Sequence, residues 1–282
     1  FGRDKTEDLC AWFNEQPKLT ARINTILIDI PQCLTMLNEQ GWSVTQDSNY
    51  EDIIYINSHR GSLEKSEAFI KGYITFMDKA SMLVARLVNP QPGERILDCC
   101  AAPGGKSMYM ATLMDNVGSL MSCDIHEHKI ELMNSNADRL GASIVHTKVQ
   151  DATKLPDSWN SYFDRVLVDA PCSGLGILQK KLDMRWRKQE SILRELPPLQ
   201  LAILERAAMT VKEKGYLIYS TCTLNYKENE EVVESFLQKH KEFSIIPVVE
   251  DFPLKSNSGM ITTYPPTDDM DGFFMVKMQR IS

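Results

Sequence analysis

Membrane-length apolar runs are missing from this 282-residue sequence: none approaches the ~18 residues that suggest a span, and no segment reads as a signal peptide. The seven cysteines show neither CxxC nor Cys/His spacing, which argues against a disulfide framework or a zinc site. A reducing cytoplasm and no metal are the expectation. Repeats and low-complexity tracts are absent, and 43% hydrophobic with 24% charged residues is an ordinary soluble composition. An excess of basic charge is also lacking. The net charge of −7 counts against a protein held to nucleic acid by bulk electrostatics. The chain opens on Phe1 rather than Met, so a fragment or processed form is expected, with an upstream domain missing. Its length allows one large domain or a domain plus a smaller one.

What is present divides in two. Over residues 1–77 the pattern predicts a small α+β unit: a strand at 19–24, a helix at 30–40 closed by Gly41, and strands at 53–56 and 72–76. Residues 78–282 show strand–helix alternation, with strands expected at 95–99, 118–123, 143–149, 163–169 and 215–221. Helices are expected at 78–89, 105–115, 126–140, 189–213 and 227–240. In the fourth of these, Leu196, Leu199, Ile203, Ala207 and Val211 fall on one face, and Pro197-Pro198 is expected to kink or divide it. Beyond Phe243 come a further strand, a polar stretch at 250–271 and a closing strand from Phe273 to Met278. The alternation implies an α/β fold with a doubly wound, mostly parallel sheet.

Ligands in such sheets bind past the carboxyl ends of the strands, so the residues there carry the argument. Ile96-Leu-Asp-Cys-Cys-Ala-Ala-Pro-Gly-Gly-Lys-Ser107 runs from a strand through a small-residue turn into a helix. Gly105-Lys106-Ser107 matches the end of a phosphate-binding P-loop, and Arg165-Val-Leu-Val-Asp169 resembles a strand with a Mg²⁺-holding acid. Cys100 stands where that loop needs its first glycine, so an NTPase is a near miss. The other reading is an adenosine cofactor over Cys100, Ala101, Ala102, Pro103, Gly104, Gly105 and Lys106. Asp124, 20 residues past Gly104, is placed for ribose hydroxyls, and Asp151 for the adenine amino group. Each acid has a plainer reading: Asp124 as a helix cap completed by Glu127, Asp151 as a turn residue. Asp98, Asp124, Asp151 and Asp169 together at four strand ends are harder to assign to caps. S-adenosylmethionine, which carries no phosphate, needs neither a complete P-loop nor Mg²⁺.

Two strand ends carry thiols: Phe163-Asp-Arg-Val-Leu-Val-Asp-Ala-Pro-Cys172-Ser-Gly and Gly215-Tyr-Leu-Ile-Tyr-Ser-Thr-Cys222-Thr. Either cysteine alone is more commonly a small buried hydrophobe. As a pair on neighbouring strands ~4.8 Å apart, both thiols can face one ring. With Asp169 three residues before one of them, that suggests covalent chemistry on an electron-poor base. Spacing does not choose the nucleophile. Gln179-Lys-Lys-Leu-Asp-Met-Arg-Trp-Arg-Lys188 adds five basic residues, one acid and a tryptophan, which suits a phosphate track with a stacking surface or, more blandly, a solvated loop.

Taken together, Leu97-Asp-Cys-Cys-Ala-Ala-Pro-Gly-Gly-Lys-Ser107, Asp169-Ala-Pro-Cys-Ser-Gly174 and Tyr219-Ser-Thr-Cys-Thr223 resemble the NOL/NOP/SUN family of RNA cytosine-5 methyltransferases. The resemblance is strongest to its bacterial Sun/Fmu group, which modifies 16S ribosomal RNA. Thr75-Phe-Met-Asp78 with Ser81, Asp183-Met-Arg-Trp186 and Asp271-Gly-Phe-Phe274 extend it, and Leu19-Thr-Ala-Arg-Ile-Asn24 resembles the start of the family's small RNA-contacting domain. The resemblance implies a Rossmann-like S-adenosylmethionine-dependent methyltransferase fold, without the NusB-like domain that usually precedes it. It implies Cys222 as nucleophile toward carbon 6 of cytosine and Cys172 as the group that assists release. Asp169 would hold the ring nitrogen and amino group, with Lys106 orienting it. The partner would be RNA, 16S rRNA or alternatively tRNA, bound in an opened segment by a monomeric enzyme. Cys99, Leu182 and Met77 depart from the family's usual residues and leave the chemistry untouched.

Overall fold

The computed structural model describes residues 1–187, 189–248, 252–254, 256 and 258–281, residue 187 by its backbone alone. Lys188 of the basic segment and residues 250, 251, 255 and 257 of the polar stretch lie outside the described residues.

The N-terminal part runs α1 (Arg3–Trp12), β1 (Thr20–Ile23), α2 (Ile30–Glu39), β2 (Ser43–Gln46), β3 (Ile53–Ser58), α3 (Glu67–Ile70) and β4 (Ile74–Phe76). Its strands form an antiparallel sheet in the order β2-β3-β1-β4. Cys33 and Leu37 of α2 pack over Ala21, Ile23, Ile54 and Ile74 to close a small core of their own. The helix α1, the strand β2 and the single turn α3 were not expected from the sequence. All three are weak apolar signals: α1 buries only Leu9, and β2 is almost wholly exposed.

The rest runs α4 (Lys79–Val88), β5 (Arg95–Asp98), α5 (Gly105–Leu113), β6 (Ser119–Asp124), α6 (Glu127–Leu140), β7 (Val145–Val149), β8 (Phe163–Asp169) and α7 (Met184–Arg187). It continues with α8 (Ile192–Ala208), β9 (Val211–Thr221), α9 (Glu230–Lys239), β10 (Phe243–Ile245), β11 (Met260–Thr262), α10 (Pro265–Asp268) and β12 (Phe274–Arg280). The sheet order is β10-β12-β9-β8-β5-β6-β7, with β11 also paired to β12. The strands from β7 to β9 are parallel, and β12 is antiparallel to β9. This is the mostly parallel, doubly wound sheet that the alternation predicted, and it agrees with the Rossmann-like fold that the resemblance implied.

The core follows the period of two along the strands. Ile96, Leu167 and Ile218 face α4 and α5, whereas Leu97, Val166, Val168, Leu217 and Tyr219 face α8 and α9. Two expectations are corrected around α8, the first of them in its alternative of a divided helix. The helix runs unbroken through Pro197 and Pro198, so the prolines do not divide it. It also stops at Ala208: Val211, which continues the helical spacing, instead pairs with Phe163 as the start of β9. An apolar residue just past a helix satisfies either period, and the partner strand decides.

The chain crosses from one side of β5 to the other between β7 and β8. That reversal opens a crevice at the carboxyl ends of the central strands, where a ligand fits without displacing a helix. A polar interface joins the smaller sheet to this body. Fully buried Arg22 donates from Nη1 to Thr112 at 3.1 Å, and Asn24 Nδ2 donates to the Leu140 carbonyl at 2.9 Å.

Candidate active site

The turn after β5 is built from small residues because its neighbours crowd it. Gly104 has φ +98°, and a Cβ there would stand 3.1 Å from Met133 Cγ and 3.3 Å from Met108 Cε. Gly104 caps α5, so the turn delivers Gly105, Lys106 and Ser107 to the first helical turn. Ser107 donates to Asp98 Oδ2 at 2.7 Å, while the buried Oδ1 of Asp98 has no partner. Burial, helped by the charge of Asp169, pushes the Asp98 carboxyl up to about 7 against the Ser107 bond and the charge of Lys106.

A cleft of about 410 Å³ opens beside this turn, and Cys100, Ala102, Asp124, Asp151, Asp169, Cys172 and Cys222 all line it. Ala101, Pro103, Gly104 and Gly105 form the turn behind that wall without lining it, and Lys106 reaches the wall through Asp169. A larger groove of about 890 Å³ against β3 holds none of the candidate residues.

Asp124 ends β6 and is not the cap of α6, contrary to the capping-box alternative. His126 occupies the cap position, and Asp124 Oδ1 accepts its N–H at 3.0 Å. The second oxygen lies 3.6 Å from Lys129 Nζ on the cleft wall. Asp151 does cap a turn: Oδ1 accepts from Thr153 N at 2.9 Å and Thr153 Oγ1 at 2.7 Å. Those bonds from Thr153 hold its carboxyl below the usual range. The plainer reading and the cleft position are therefore both true of Asp151.

At the other end of the cleft, β8 and β9 are parallel neighbours with Asp169 opposite Ser220. Asp169 accepts from Lys106 Nζ at 2.7 Å and from Ser220 Oγ at 2.8 Å. Burial disfavours the charge on Lys106, but Asp169 outweighs it and the ammonium is held above its ordinary value. A phosphate cradle would aim this lysine into the turn; here Asp169 engages it.

Cys172 Sγ and Cys222 Sγ lie 3.2 Å apart. Two thiols this close share one proton more readily than they lose two. The bond Cys172 makes to Cys222, then burial, pushes Cys172 far up. The same bond lowers Cys222 against burial and Asp169, and the charge of Lys106 adds to the lowering. The charge of Lys106 is among the main influences on Cys222 and not among those on Cys172, which favours the thiolate at Cys222. Sequence spacing left the two thiols equivalent, and this asymmetry distinguishes them.

Two groupings were not foreseen. Lys180 pairs with Asp78 and, at 3.0 Å, with Asp271, so three separated motifs meet in one ion cluster. Burial and the charge of Asp78 push Asp271 up to about 7. Fully buried Glu228 accepts from Ser173 N at 2.7 Å and from Gln200 Nε2 at 3.0 Å. The only sequence signal for that second grouping is the hydroxyl residue after each cysteine, since Ser173 and Thr223 Oγ atoms meet at 2.7 Å. Gly176 holds the turn close: a Cβ on it would fall 1.8 Å from the Gly272 carbonyl oxygen.

The basic segment is partly spent on internal contacts. Arg185 donates to Asn14 Oδ1 at 2.8 Å and to the Phe13 carbonyl, and Gln179 donates to the Trp12 carbonyl at 3.0 Å. Lys181 is exposed, and Trp186 is 89% exposed two residues from cleft-lining Met184.

A family model described as 16S rRNA methyltransferase RsmB/F matches residues 85–279, and one described as Methyltr_RsmF/B-like, ferredoxin-like domain matches residues 1–61. The probable ribosomal RNA small subunit methyltransferase B of Bacillus subtilis is 37% identical over 99% of this chain, which spans 64% of that protein. The ribosomal RNA small subunit methyltransferase B of Serratia proteamaculans is 29% identical over 94% of this chain and 60% of its own length. Among solved structures, PH0851 superposes with a TM-score of 0.92 at 32% identity, over 98% of this chain and 62% of that one. The NSun6 of Pyrococcus horikoshii, solved with SFG, superposes with a TM-score of 0.90 over 100% of this chain and 96% of its own. At 22% identity that second likeness speaks to the fold alone.

Proposed function

The chain belongs to the family described as 16S rRNA methyltransferase RsmB/F, and from that premise we propose that it methylates carbon 5 of a cytosine in 16S rRNA through a covalent adduct at carbon 6. The observation that carries the proposal is the thiol pair at 3.2 Å on the wall of a cleft, beside an Asp169–Lys106 pair.

The cleft suits S-adenosylmethionine. The Asp98 oxygen without a partner is an acceptor behind the turn, and Asp124 and Asp151 supply carboxylates along the wall. When bound, the cofactor supplies an electrophilic methyl group. The chain does the rest. Carbon 5 of cytosine is too poor a nucleophile unaided. Cys222, lowered by Cys172 and Lys106, adds as a thiolate at carbon 6, and the displaced electron pair makes carbon 5 nucleophilic. Asp169, held by Lys106 and Ser220, accepts from the amino group and from N3 in its protonated form, so the electron pair displaced by the thiolate is drawn toward a ring that already carries the balancing proton.

With its sulfur bonded to carbon, Cys222 no longer accepts from Cys172. Cys172 gives its proton to solvent and then removes the proton from the methylated carbon 5. The C–H electrons restore the 5,6 double bond, and Cys222 leaves as the thiolate to which Cys172 again donates. The base reaches such a cleft only out of its stack, so an opened or single-stranded segment is the substrate. Lys181 and Trp186, exposed in the segment that carries cleft-lining Met184, are the groups for the flanking nucleotides.

The test is incubation with methyl-labelled S-adenosylmethionine and unmodified 16S rRNA or tRNA, followed by nucleoside analysis. Label in 5-methylcytidine of 16S rRNA is the expected result. Label in tRNA alone would replace the substrate, and label in another nucleoside would refute the chemistry.

A further inference from the structure

We infer that Glu228 is a positioning residue for the release step, acting through the backbone on both sides of Cys172. This rests on the covalent mechanism proposed above, in which Cys172 removes the carbon 5 proton.

The two thiols are held in different ways. Cys222 directly follows β9, whose register with β12 reaches Thr221 opposite Phe274, and its carbonyl accepts from Gly176 N at 3.0 Å. Cys172 sits in a turn beyond β8 with no strand partner at its own position. Its turn is held from outside. Gln200 Nε2 donates to the Pro171 carbonyl at 2.9 Å on one side of the cysteine. Glu228 Oε2 accepts the Ser173 N–H at 2.7 Å on the other, and the same Gln200 Nε2 donates to that oxygen at 3.0 Å. The carboxylate and the amide thus close a loop around residue 172.

Glu228 is itself fixed. Its Oε1 accepts from Asn225 Nδ2 at 2.9 Å, and its backbone carbonyl accepts from Tyr219 Oη at 2.6 Å. Glu228, Gln200, Ser173 and Thr223 are all fully buried, so the geometry is not exchanged with water. A carboxylate is the group this position needs, because it faces three N–H donors and offers two acceptor oxygens. A glutamine there presents an N–H₂ toward at least one of those donors, and a buried donor facing a donor loosens the clamp and lets the turn move. The movement falls on Cys172 rather than on Cys222, so attack survives and release is slowed.

The experiment traps covalent RNA on a denaturing gel for wild type, Cys172→Ala, Glu228→Gln and the double variant, with S-adenosylmethionine and 16S rRNA. Thermal melts accompany the gels. The inference predicts at least a ~10-fold rise in adduct for Glu228→Gln, single-turnover methyl transfer within about 3-fold of wild type, and multiple turnover down by ~10-fold or more. The double variant should accumulate no more adduct than Cys172→Ala alone, because both changes strike one step. Adduct in Cys172→Ala but none in Glu228→Gln would overturn the clamp and leave the mechanism standing. No adduct in Cys172→Ala would overturn the mechanism and the clamp with it. If Glu228→Gln does not fold, Gln200→Met, which removes the one donor shared by the Pro171 carbonyl and Glu228 Oε2 and leaves the carboxylate on Ser173 N, is judged by the same criteria.

Discussion

Replacing Asp98 by asparagine isolates the electrostatics of the cofactor turn. The carboxyl is fully buried, accepts from Ser107 Oγ at 2.7 Å, and is pushed by burial from its ordinary 3.8 to about 7. A carboxyl raised on folding binds more protons in the native state than in the unfolded one, so the stability it contributes is present below the unfolded value and lost as pH rises through the folded value. The window is therefore about pH 4 to pH 7. Integrating between pH 5 and pH 8 gives a loss of about 2–3 kcal/mol for wild type that asparagine, which does not titrate, escapes. Urea unfolding of both proteins at pH 5 and pH 8, without cofactor, reads this directly. The variant should gain on wild type by that amount between the two pH values. Its own oxygen keeps the Ser107 bond, so no compensating loss is expected. An unchanged difference at the two pH values would mean that Asp98 carries its charge in the folded protein throughout, and the account of the turn would be wrong.

Lys106→Met removes the charged partner of Asp169 and the cation that favours the Cys222 thiolate. Turnover should fall by about 10²-fold, and peptide-mapped iodoacetamide labelling of Cys222 should shift to higher pH; an unshifted labelling profile would remove Lys106 from the account. Trp186→Ala should weaken RNA binding by about 1–3 kcal/mol, the worth of one stacked base, with melting and cofactor affinity unchanged. Equal RNA affinity in filter binding would return that tryptophan to a plain surface role. Glu94→Gln leaves buried Arg165 without a carboxylate that now accepts at 2.6 and 3.0 Å. It should cost about 3 kcal/mol in urea unfolding, and a cost under ~1 kcal/mol would show the pair to be solvent-screened.

The sheet and the two thiols were legible because strong local signals carry them. Phe163–Asp169 and Tyr216–Thr221 are dense enough in apolar and β-branched residues to be read as buried strands, and the alternation with helices makes them parallel. Placing Cys172 beside Cys222 then needs only that β8 and β9 be neighbours. What escaped is decided at long range. Glu228 lies in the charged run Lys227-Glu-Asn-Glu-Glu231 and reads as a solvated helix start. Its burial is set by Ser173 and Gln200, both far away in sequence. The meeting of Asp78, Lys180 and Asp271 is of the same kind: each lies in a motif noticed separately, and only the fold brings them together. The asymmetry between the thiols also needed coordinates, since it depends on which sulfur feels Lys106. The end of α8 was missed for a local reason. Val211 fits a helical and an extended period equally, and Phe163 settles it.

The most direct measurement mixes Cys172→Ala and Cys222→Ala variants separately with S-adenosylmethionine and unmethylated 16S rRNA, and looks for RNA-linked protein on a denaturing gel. The account predicts an adduct with Cys172→Ala alone, because Cys222 attacks and only release is blocked. An adduct with Cys222→Ala alone would reverse the two roles and contradict it.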